Sequence, residues 1–70
     1  MNNILVFKTN IQSDEDLLTL ESLLNRLDVK DWNVDRKDID CVLRVVSRTI
    51  TEGEIASLLT EAGFFCEELM

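Results

Sequence analysis

The spacing of apolar residues switches repeatedly along this chain between a short, strand-like pattern and one of three to four residues. Asn3 to Thr9 (N-I-L-V-F-K-T) is a continuous run rich in β-branched and aromatic side chains. It is too short for a helix and suits a central strand covered on both faces. Leu17, Leu20, Leu24 and Leu27 then recur every three or four residues, Leu23 widens the stripe and Leu18 lies beside it, which predicts an amphipathic helix reaching about Leu27. Trp32 and Val34 alternate with Asp31, Asn33 and Asp35, the period of a half-buried strand. Cys41 to Ser47 (C-V-L-R-V-V-S) predicts a third strand, and Phe64 to Leu69 a short fourth one. Between them Ile55, Leu58, Leu59 and Ala62 form the predicted buried stripe of a second helix.

Polar residues punctuate these elements where the backbone needs them. Ser13 can accept from the free amides of a first helical turn, and Asp14, Glu15 and Asp16 sit where the helix dipole favours negative charge. Asp16 follows Ser13 by three residues, an acidic variant of the capping box. Thr49 or Thr51 caps the second helix, and Gly63 stops it by accepting a left-handed backbone. Arg36 to Asp40 reads as a turn, which makes strands two and three an antiparallel hairpin. The resulting order, βαββαβ, predicts an α+β, ferredoxin-like two-layer sandwich: a four-stranded antiparallel sheet in the order 4-1-3-2 with two helices on one face.

Composition narrows the function classes. Seventy residues make a single domain, 1–70, and neither proline nor low-complexity sequence suggests a linker. A net charge of −7 argues against nucleic acid and against an anionic membrane surface. The apolar run Ile4 to Phe7 is too short to insert into a membrane, and no basic region precedes it. Two cysteines and no histidine, in so acidic a chain, point to a reduced, cytoplasmic protein rather than a disulfide framework.

Ile4 to Asp16 (I-L-V-F-K-T-N-I-Q-S-D-E-D) resembles the opening of the heavy-metal-associated domains, the copper-chaperone-like family, in which a strand leads through G-M-x-C-x-x-C into a leucine-bearing helix. Aligned helix on helix, Asn10 falls on the family glycine and Ile11 on its buried methionine. Trp32 to Asp35 (W-N-V-D) resembles the V-x-V-D of the second strand, and Ala62-Gly63-Phe64 the step into the last. The resemblance spans nearly the whole chain and rests on order and spacing. It implies a family member without the metal motif, because the two cysteine positions fall on Ser13 and Asp16. Copper(I) and zinc carriers of this kind need soft thiolates, whereas a hydroxyl and a carboxylate are hard oxygen donors. Ser13 and Asp16 therefore read first as a helix cap.

The remaining candidates divide between structure and chemistry. Cys41 and Cys66 are placed on strands either side of strand one, about 9.5 Å apart by the usual spacing and beyond disulfide reach. Both read as small buried hydrophobes, with a residual copper or zinc site as the alternative. The acids of the first helix start (Asp14, Glu15, Asp16) and of the hairpin (Asp35, Asp38, Asp40) are expected at opposite ends of the sheet or well apart, as a solvated acidic surface. Without histidine or a glycine-rich phosphate loop the chain reads as a non-enzyme with no cofactor. If Leu5, Phe7, Trp32, Val34, Leu43 and Val45 face the helices, the opposite sheet face carries Ile4, Val6, Val42, Val46 and Phe65, framed by Lys8 and Arg44. So many apolar side chains on an open face predict a protein partner or a homodimer through the sheet.

Overall fold

A computed structural model describes residues 3–69. The elements follow the predicted order: β1 (Asn3–Thr9), α1 (Asp14–Arg26), β2 (Asp31–Asp35), β3 (Val42–Ser47), α2 (Glu52–Glu61) and β4 (Cys66–Leu69). The four strands form one antiparallel sheet, β2-β3-β1-β4, which is the expected order read from its other edge. This is the ferredoxin-like sandwich the sequence predicts. Its core lies between sheet and helices: Leu5, Phe7, Leu43 and Val45 from the strands meet Leu20, Leu24, Ile55 and Leu59 from the helices. Trp32 and Val34 pack against that core while keeping partial exposure. Ile11 in the β1–α1 loop is fully buried, as the position of the family methionine implies.

Both helices stop in the same way. Val29 N–H donates to the Leu24 carbonyl at 3.0 Å and Asp28 N–H to that of Asn25 at 3.0 Å. Phe64 and Gly63 repeat the pattern on Leu59 (2.9 Å) and Thr60 (3.0 Å). These paired bonds are the Schellman arrangement, which puts one residue in the left-handed region. Gly63 fills that place in α2 (φ 92°) and Asp28 in α1 (φ 57°).

Several boundaries differ from those the sequence suggests. Cys41 stands outside β3: its φ of 44° takes it out of the extended strand, so the ladder begins at Val42. Phe64 and Phe65 complete the helix stop and its exit, and β4 starts only at Cys66. Helix α1 ends at Arg26 with Leu27 as its cap, and of the two residues proposed to cap α2, Thr51 does so. Ala62 is exposed and Leu58 only half-buried, because α2 turns its Ile55–Leu59 line, rather than its final turn, toward the sheet.

Candidate functional site at the β1–α1 loop and the open sheet face

Three connections gather at one end of the sheet: the β1–α1 loop (10–13), the hairpin (36–41) and the α2–β4 turn (62–65). Antiparallel pairing puts the end of β1 beside the starts of β3 and β4. The two acidic groups expected apart are therefore neighbours. Arg36 of the hairpin reaches Asp14 at 2.9 Å and donates to the Gln12 carbonyl at 3.1 Å. Thr9 N–H donates to the Asp40 carbonyl at 3.0 Å, and Lys8 lies 3.4 Å from the Asp40 carboxylate. On the other side Phe65 N–H donates to Asn10 Oδ1 at 3.0 Å. Sequence reasoning missed Arg36 as the bridge; two adjacent cations, Arg36 and Lys37, among the hairpin acids were the available signal.

Ser13 and Asp16, where the resemblance puts thiolates, are engaged with each other's backbone. Asp16 N–H donates to Ser13 Oγ (3.0 Å), and Ser13 N–H donates to Asp16 Oδ2 (3.3 Å). Gln12 N–H donates to the same carboxylate oxygen at 3.3 Å. These bonds to the charged form, from Gln12 first and then from Ser13, hold the Asp16 carboxyl below its usual range. Among the described residues no three histidine, cysteine, aspartate or glutamate side chains converge as a metal ion would require.

Cys41 and Cys66 flank Thr9. Cys66 is its register partner on β4, and Thr9 Oγ1 donates to the Cys41 carbonyl at 2.6 Å. Both thiols are free. Cys41 is buried at 2% exposure, and the half-buried Cys66 packs against the core, where burial pushes its thiol up to about 11. A thiol held neutral in this way is a poor nucleophile and a poor metal ligand near neutral pH.

The face of the sheet away from the helices is read from the register. Its rows are Asp31–Val46–Ile4, then Asn33–Arg44–Val6–Leu69, then Asp35–Val42 and Lys8–Glu67. Ile4 is 66% exposed, Val6 and Val46 are half-buried, and Phe65 is 47% exposed just before β4. Val42, at 7%, offers little surface beside the Lys8–Asp40 pair. Leu69, across from Val6, belongs to the same face and was missed although alternation from Phe65 through Glu67 would have placed it there; only its partner Val6 depends on the β1–β4 register. At the sheet's other end, where α1 stops and α2 starts, an open groove of about 610 Å³ is lined by Leu27, Thr51, Gly53, Glu54, Ser57, Leu58 and Glu61. No helix among the described residues is long and apolar enough to cross a membrane.

No family model matches the chain, and no curated protein matches it in sequence. Solved structures do. Oxidized MerP from Ralstonia metallidurans CH34 shares the fold with a TM-score of 0.80 at 8% identity, over 100% of both chains. The CsoZ metallochaperone follows with a TM-score of 0.75 at 20% identity, again over 100% of both. Identities this low make the likeness one of architecture: the chain shares the ferredoxin-like βαββαβ fold of these two proteins.

Proposed function

We propose that this chain is a single, non-catalytic heavy-metal-associated-like domain, a divergent relative of that family without its soft-metal site, working in the cytoplasm through protein contact on the open sheet face. The observation that carries the reading is the reciprocal pairing of Ser13 and Asp16. Both side chains are spent on capping α1, and neither is a sulfur donor. The exposed Ile4 and Phe65, with the half-buried Val6 and Val46, support the contact surface. The absence of histidine from the sequence supports a non-catalytic role.

A second reading has its own support. CsoZ is described as a metallochaperone, and Cys41 and Cys66 flank Thr9 at the loop end, so a residual copper or zinc carrier would use those two thiols. One experiment separates the two. Titration of the reduced protein with copper(I) and zinc, in competition with a chelator, is expected to find no tight one-to-one site. Tight binding that disappears in Cys41→Ser or Cys66→Ser overturns the first reading in favour of the second.

A further inference from the structure

The charges on the open face are unusual for so acidic a chain. Arg44 stands exposed in the middle of β3, between Val42 and Val46 along the strand and next to Val6 across it. Among the described residues it closes no ion pair, although the chain has 14 acids to 7 bases. Glu67 on β4 is likewise unpaired: its register neighbour Lys8 turns instead to Asp40. Among the described residues the face thus holds an unpaired cation, Arg44, on one side of β1, with Asp31 and Asp35 further out on the edge strand β2, and an unpaired anion, Glu67, on the other.

From this we infer that the face is occupied by a second copy of the chain, packed sheet to sheet about a two-fold axis running along β1, with Arg44 of each copy pairing with Glu67 of the other. The inference rests on the protein-contact reading above. In a two-fold contact every pairing occurs twice, so a self-complementary face must carry both members of each pair. Strand order supplies that here. β1 lies between β3 and β4, so rotation about β1 lays the β3 of one copy over the β4 of the other. Arg44, Val6 and Leu69 share a row, which sets Arg44 against the other copy's Leu69 with Glu67 one row along. Ile4 and Val6 then stack on their own copies as the apolar centre. Asp31 and Asp35, on the far edge of β2, fall outside the contact as a solvated rim, the arrangement of a dry centre with a polar border. A standard contact takes about 800 Å² per partner, about a sixth of this molecule's 4742 Å² surface.

The test is charge reversal read by sedimentation equilibrium over a range of concentrations, with circular dichroism confirming the fold of each variant. Wild type is expected to dimerise. Arg44→Glu sets like charges against Glu67, and Glu67→Arg sets them against Arg44, so each alone weakens the dimer about tenfold or more. Combining both substitutions in one chain restores it, and mixing the two single variants in equal amounts yields a heterodimer. If Val6→Lys abolishes the dimer while the combined variant is no better than the single ones, the pairing is wrong. A wild type that stays monomeric throughout overturns the second copy as occupant. In either case the protein-contact reading falls only if the metal titration also finds a tight site.

Discussion

The two helices of this chain are built alike at both ends and differ in what surrounds them. Each opens on a capping box, Ser13 with Asp16 in α1 and Thr51 with Glu54 in α2, and each closes on a Schellman turn. Their surroundings separate them. The α1 start carries a second tie, through Arg36, to the hairpin, and its Asp16 accepts a further amide from Gln12. Among the described residues the α2 start shows its own box, beside an open groove, and no counterpart of the Arg36 tie. Since α2 carries the same device at a place with no resemblance to a metal loop, the α1 box needs no metal ancestry to explain it. A helix start with four unpaired amides selects these residues wherever it occurs.

The largest effect expected from breaking this likeness is a gain of metal binding. Ser13→Cys with Asp16→Cys installs two thiolates at the two-residue spacing, and copper(I) affinity in chelator competition should rise by several orders of magnitude over wild type. A double variant that binds no better than wild type would mean that the Arg36 tie, rather than the missing sulfur, closes the loop to metal.

Smaller effects come from the helix stops, where the two helices differ by one residue. Gly63 holds φ 92° with open space around its Cα, so Gly63→Ala adds only backbone strain, about 1–2 kcal/mol of lost stability. Asp28 endures the same region with a side chain, and Asp28→Gly should gain up to about 1 kcal/mol. The Asp28–Lys30 ion pair lost with it is almost fully exposed and contributes little. Urea midpoints moving in opposite directions would establish the pattern, and a destabilised Asp28→Gly would refute it.

Smaller again is the difference between the caps. Ser13→Ala and Thr51→Ala should each cost about 1 kcal/mol. Because Arg36 also holds the α1 start, Ser13→Ala is expected to be the milder of the two. In an Arg36→Ala background the gap should close, a coupling that a double-mutant cycle measures directly. Equal costs in both backgrounds would reduce the Arg36 bridge to a surface ion pair without consequence.

What the sequence made legible follows from how local each signal is. The Ser13–Asp16 cap, the leucine stripe of α1 and the Gly63 stop each lie within a few residues of chain, and the structure reproduces them. The Asp28 stop escaped because an aspartate at a left-handed position looks like any surface acid until the chain direction is known. The juxtaposition of the two acidic groups was already implied by the predicted order, because antiparallel β1 and β3 bring the end of one beside the start of the other, so the expectation that they lie apart misapplied that topology. What the sequence did not carry is the bond that ties them, between Arg36 and Asp14, 22 residues apart. Contacts of that range leave no periodic trace in sequence.

The smallest effect is one of pH, and it isolates the α1 cap from everything else. The Asp16 carboxyl lies below its ordinary 3.8 because the amides of Gln12 and Ser13 donate to its charged form. A carboxyl depressed by folding contributes stability in full above its unfolded value and loses it as the pH falls through the depressed folded one. Wild type should therefore exceed Asp16→Asn by a constant margin above about pH 5, and the margin should shrink as the pH drops below about 4. Comparing the two proteins at each pH matters, because protonating the other acids also relieves the self-repulsion of a chain at −7 and moves both curves together. Denaturant midpoints taken at half-unit steps would display the margin. A margin that persists undiminished to pH 2 would mean that Asp16 acts through packing alone and that its charge does not hold the loop.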